Sequence, residues 1–79
     1  MPHDAQKYLY DMLDSCRFLL QFTVGRGPDD LRNDRPFRSA VERELQIIGE
    51  ALIALSKVAP EVAQTLPESN RIIRFRHVL

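Results

Sequence analysis

The residues between Arg35 and Val58 constrain this chain most. Val41, Leu45, Ile48, Leu52 and Leu55 recur at alternating spacings of 4 and 3. That rhythm makes one narrow seam of an α-helix apolar and suits packing against another helix. Asp34 can cap such a helix, and Pro36 is tolerated in its first turn, where a missing N–H has no partner to lose. Pro60 prevents simple continuation past Val58. A second apolar set, Ala40, Ile47, Ala51, Ala54 and Val58, lies beside the seam. Apolar surface on more than one side predicts a central helix, or one that also faces another subunit. Gly49 falls inside this helix at a cost of about 1 kcal/mol against alanine, which calls for a reason such as close backbone approach.

An earlier helix is predicted from Asp4, a candidate N-cap. Leu9, Met12, Leu13, Cys16, Leu19, Leu20 and Thr23 follow the i, i+3, i+4 spacing of one face, which Phe18 and Phe22 widen. Lys7, Asp11, Asp14 and Arg17 lie mostly on the other side. Gly25 and Gly27-Pro28 end the helix. Cys16 is the only cysteine, so neither an intrachain disulfide nor a Cys-rich zinc site can form. Its place on the apolar stripe predicts a buried, reduced thiol. Residues 28–35 read as a loop with about one helical turn, anchored by Leu31. Residues 60–66 can form two short turns, stopped by Pro67.

Ser69 or Asn70 caps a predicted final helix in which Ile72, Phe75, Arg76 and Leu79 share a face. That helix stops in mid-stripe on two apolar residues, with no glycine after it. The expectation is a single all-α domain over residues 1–79, an up-and-down antiparallel helical bundle whose last helix is incomplete. A core this small is marginal without a staple or a partner.

No run of about 18 apolar residues occurs, and the polar start has no signal-peptide shape, so a cytoplasmic protein is expected. Eleven basic and eleven acidic residues cancel overall. Arg71, Arg74 and Arg76 nevertheless stand in the last ten residues without an acid. Such an end can bind phosphate locally, but nothing favours bulk coating of DNA. No helix combines exposed basic and amide residues for a major groove, so specific DNA reading is not expected.

Most chemical motifs are missing from the sequence. There is no Gly-rich phosphate loop, metal-spaced Cys/His cluster or H-E-x-x-H, and neither metal nor cofactor is expected. Ser39 and Ser56 have no adjacent base. Asp29/Asp30 and Glu42/Glu44 read as helix-start charges or a solvated face. Arg76 is the exception. Ile72, Phe75 and Leu79 surround it on the helix, which sets a guanidinium inside an apolar stripe. A charge there requires a carboxylate or phosphate partner. The partner can be Glu50 or Glu44 of the central helix, or the phosphate of an RNA or nucleotide. Residue chemistry supports the two equally.

Residues 40–62 (AVERELQIIGEALIALSKVAPEV) and 66–79 (LPESNRIIRFRHVL) resemble the HepT-like toxins of the HEPN superfamily. Their I-G-E-A core is matched by Ile48, Gly49, Glu50 and Ala51. A Pro-marked link and an I-I-x-F-R stretch follow, matched by Ile72, Ile73, Phe75 and Arg76. The opening at Tyr8 to Leu13 also fits, so the resemblance covers essentially the whole chain. The family's arginine, separated by four residues from a histidine, aligns with Arg76. The histidine would fall two positions beyond Leu79, and His77 stands where the family usually has asparagine. His77 is turned about 100° from Arg76, so it is a poor substitute.

The resemblance implies a homodimeric, metal-independent endoribonuclease toxin, paired with a minimal nucleotidyltransferase antitoxin. Arg76 would be catalytic, with Glu50 its orienting partner and Arg74 and His77 supporting or anion-binding residues. RNA would be the substrate. Lacking the motif histidine, the 79-residue chain is expected to be inactive. Two other readings remain open: a non-catalytic helical module for dimerisation or antitoxin binding, and a nucleotide-binding domain using Arg71, Arg74 and Arg76.

Overall fold

The longest element in the computed structural model, which describes residues 3–66, is α3, Arg35–Val58. Local chemistry sets both of its ends. Asp34 is extended (φ −112°, ψ 94°), and its carboxylate accepts a 3.1 Å hydrogen bond from the Phe37 amide. At the far end the Ala59 amide donates to Leu55 O at 2.8 Å. The chain then turns into α4, Pro60–Ala63, because proline cannot continue the ladder. The turns that follow, Gln64 amide to Pro60 O and Leu66 amide to Ala63 O, match the short turns predicted there.

Helix α1 spans His3–Phe22. Asp4 therefore lies within the first turn and is not the N-cap; its carboxylate there still complements the helix dipole. The helix closes on a 2.7 Å hydrogen bond from the Thr23 hydroxyl to Leu19 O, and Gly25 takes the left-handed φ of 72° that glycine adopts freely. Between the long helices lies α2, Pro28–Asn33, whose first turn is tied by a 2.8 Å bond from the Gly27 amide to the Asp30 carboxylate. α2 buries no residue completely, and Leu31, its apolar residue, is 39% exposed.

α1 and α3 run antiparallel. At one end Phe22 stacks on Phe37, ring centroids 5.1 Å apart. At the other, Ala5 packs into a cluster with Leu52, Leu55, Ala59 and Ala63, covered by Tyr8, Leu9, Met12, Val62 and Leu66. Full burial of Leu52 and Leu55 contributes about 1.5–3 kcal/mol each. The predicted seam is the inward face: Leu52 and Leu55 are buried and Val41, Leu45 and Ile48 half-buried. The second set is graded, from buried Ala51 to exposed Val58. The fold is all-α, an up-and-down antiparallel helical arrangement, and the described residues contain no strand.

Cys16 is exposed, contrary to the buried thiol predicted. The buried residues of α1 are Ala5 and Ser15, the latter 2% exposed. Cys16 is one residue, or about 100°, further round the helix. Apolar residues cover so much of α1 that their spacing does not single out the inward line. Small residues mark it, because they let two helices approach closely.

Candidate functional site

Gly49 is buried and Glu50, the next residue on α3, is exposed. One turn brings Ile47, Glu50 and Ala51 to the same side of α3. Antiparallel packing sets Tyr8 and Asp11 of α1 opposite them. These five residues line a groove of about 200 Å³. Its floor is apolar, from Ile47 and Ala51, and its rim carries two carboxylates and a phenol. Two acids around one concavity favour a cation, and they fit the planar fork of a guanidinium better than a phosphate. Asp11 was expected mostly on the outward face, yet it is half-buried and edges this groove. Its place three residues after Tyr8 was the available signal. Glu44, the other carboxylate considered for Arg76, is half-buried six residues earlier.

Of the predicted site residues, Glu50 alone falls among those described. Arg76, Arg74 and His77 lie outside the described residues, as do Arg71 and the predicted final helix. The groove therefore forms around Glu50.

A second cluster escaped sequence reasoning. Arg26 stands over the Phe37 ring, 4.0 Å from its centroid. Its Nε lies 3.4 Å from Asp30 and its Nη2 donates to Asp34 at 2.7 Å. The Phe37 amide first, and then Arg26, hold the Asp34 carboxyl below its ordinary 3.8. Beside them Thr23, Pro28, Leu31 and Val41 help to line a mostly apolar cavity of about 270 Å³. Two carboxylates already match Arg26, so this cluster is a clasp between elements rather than an anion site. The spacing Arg26, Asp30, Asp34, four residues at each step, was its signal.

Among the described residues no group of three or more His, Cys, Asp or Glu side chains could hold a metal ion. No described helix is long and apolar enough to cross a membrane.

The described residues thus form an antiparallel helical pair with a buried glycine beside an acid-rimmed groove, a small all-α protein. Residues 12–79 match the family model described as Ribonuclease HepT-like, and the chain belongs to that family. It is similar to two proteins of Methanocaldococcus jannaschii. It is 40% identical over 48 residues to the one named Putative RNase MJ1380, covering 61% of this chain and 44% of that protein. It is 35% identical over 49 residues to Putative RNase MJ0127, covering 62% of this chain and 40% of that protein. The matched stretch thus spans less than half the length of each relative. No solved structure gives a significant match.

Proposed function

We propose that this chain is the RNA-binding and dimerising part of a HepT-like toxin, an endoribonuclease that needs no metal and pairs with a minimal nucleotidyltransferase antitoxin. In this reading Arg76 stabilises the extra negative charge on the phosphate during attack by the ribose 2′-hydroxyl. Glu50 orients that guanidinium from the rim of its groove. Arg74 and His77 hold neighbouring phosphate oxygens. In the family's motif a histidine moves the proton of the 2′-hydroxyl. The observation that carries the reading is the family match over residues 12–79, which takes in both Glu50 and Arg76. The acid-rimmed groove at Glu50 supports it, because it offers a guanidinium its counter-charge.

The test is RNA binding and cleavage in the presence of EDTA. The 79-residue chain should retain an oligoribonucleotide and leave it intact. Arg76→Ala should weaken retention by about tenfold, the loss of one charge-assisted contact, while helicity stays unchanged. Glu50→Gln should weaken it less. Retention unaffected by Arg76→Ala would sink the reading. Unfolding of that variant would assign Arg76 to a buried salt bridge instead.

A further inference from the structure

Three aromatic rings and a guanidinium form one column. Arg26 covers Phe37, Phe37 stacks on Phe22, and Phe22 stacks on Phe18 with the two planes 22° apart. The guanidinium closes one end of the column. The other end is open. Phe18 is 41% exposed, and among the described residues no ring or cation lies over its second face. Apart from Phe22, the surface residues one turn away on α1 are Asp14 and Gln21, both exposed. A lone ring in a polar rim offers too little apolar area for a protein seam. What it offers is a flat face the size of one other ring.

A free cation stands beside that face. Arg43 of α3 is exposed and forms no ion pair among the described residues. No acid lies three or four residues from it on its own helix. Across the helix pair Phe22 meets Phe37, and Asp11 lies opposite Ile47. Between those two crossings Arg43 falls two residues, or about 3 Å, from the level of Phe18, displaced toward the groove at Glu50. Phe18 follows Asp11 by seven residues, and Arg43 precedes Glu50 by seven. Each is thus turned only about 20° from a residue that lines the groove, so ring, guanidinium and groove share one side of the pair.

We propose that the open face of Phe18 holds an unpaired base of single-stranded RNA, with Arg43 on the adjoining phosphate. Aromatic rings stack on unpaired bases of any sequence, and arginine suits phosphate. A duplex keeps its bases inside and has none to present. The assignment rests on the ribonuclease reading, which supplies RNA as the ligand, and it deepens that reading by naming the form of RNA taken. Phe18 lies about 10 Å along α1 from Asp11 at the groove's edge, a span of about three stacked nucleotides.

The test uses the 79-residue chain and a short oligouridylate carrying one 2-aminopurine, whose fluorescence falls when it stacks on a ring. Binding should quench it, and the same strand in a duplex should bind about tenfold more weakly. Phe18→Leu keeps apolar bulk but no ring; it should weaken binding about tenfold and abolish the quench. Phe18→Trp should restore both. Arg43→Ala should lower the slope of log affinity against log salt by about 0.7. Circular dichroism should show unchanged helicity in all three variants. A quench or an affinity indifferent to Phe18→Leu overturns the proposal. So does Phe18→Trp binding as weakly as Phe18→Leu, a duplex bound as tightly as the single strand, or an unchanged salt slope in Arg43→Ala. Affinity that falls in Arg76→Ala but not in Phe18→Leu overturns the base platform alone. The reverse pattern upholds the platform and sinks the role given to Arg76. No binding of single-stranded RNA overturns both.

Discussion

The guanidinium of Arg26 covers one face of the Phe37 ring and, in the same pose, binds the carboxylate of Asp34. One side chain thus ties the turn after α1 to the cap of α3. Phe37 stacks on Phe22, and Phe22 on Phe18 at 4.9 Å, so three rings run on from the guanidinium. Arg26→Ala should lower stability by about 0.5–1 kcal/mol from the lost cation–π contact, with a small addition from its half-exposed ion pairs. Arg26→Lys keeps the charge but not the planar stacking, and should recover only part. Urea denaturation measures both. An unmoved midpoint in Arg26→Ala would mean that the stack adds nothing.

Asp34 makes the start of α3 sensitive to acid. Its carboxyl is held below 3.8 in the folded chain, first by the Phe37 amide and then by Arg26. A depressed carboxyl adds stability that is complete above its unfolded value and is lost as pH falls through the folded one. Asp34→Asn keeps a capping oxygen but removes the charge. The wild-type chain should therefore be more stable than Asp34→Asn at neutral pH. The gap should shrink once pH drops below about 4 and vanish below the folded value. Thermal melts of both proteins across that range check it; a constant gap would contradict the assignment.

Leu55 is wholly buried at the centre of the Ala5, Leu52, Ala59 and Ala63 cluster. Leu55→Ala should cost about 2–5 kcal/mol. Against a total of about 5–15 kcal/mol for an ordinary domain, and less for a core this small, that leaves much of the population unfolded. Far-ultraviolet circular dichroism at room temperature should show the lost helicity. Val58→Ala, at an exposed position on the same helix, should change little.

The Cys16 thiol should react with Ellman's reagent in the native protein almost as fast as in the urea-unfolded chain, because it is exposed. Reaction slowed a hundredfold or more by folding would restore the buried reading and require α1 to be turned about its axis.

Sequence reasoning placed α3 at its observed bounds because proline and an aspartate cap act within a few residues. It misjudged the inward line of α1 for a different reason. Leu9, Met12, Leu19 and Thr23 of the predicted stripe are half-buried, but Leu13, Cys16 and Leu20 are exposed, and Ala5 and Ser15 are the buried positions. Which arc of a broadly apolar helix turns inward depends on the helix it meets, and that is tertiary information. Of the candidate site, Glu50 was legible through the I-G-E-A resemblance. Asp11 became part of its groove only once α1 lay antiparallel to α3. The clasp of Arg26 on Phe37 likewise spans a turn whose path no local pattern gives.

The packing of Ala5 with Ala59 and Ala63 has a bearing on synthesis. Ala5 meets the last of its neighbours only after α4 has been made. A ribosome releases the N-terminus first, so α1 emerges long before the side chains that cover it. Until then part of its inward face, as well as its outward one, faces water or a chaperone. This end of the core is complete only after the turn at Pro60 has left the ribosome.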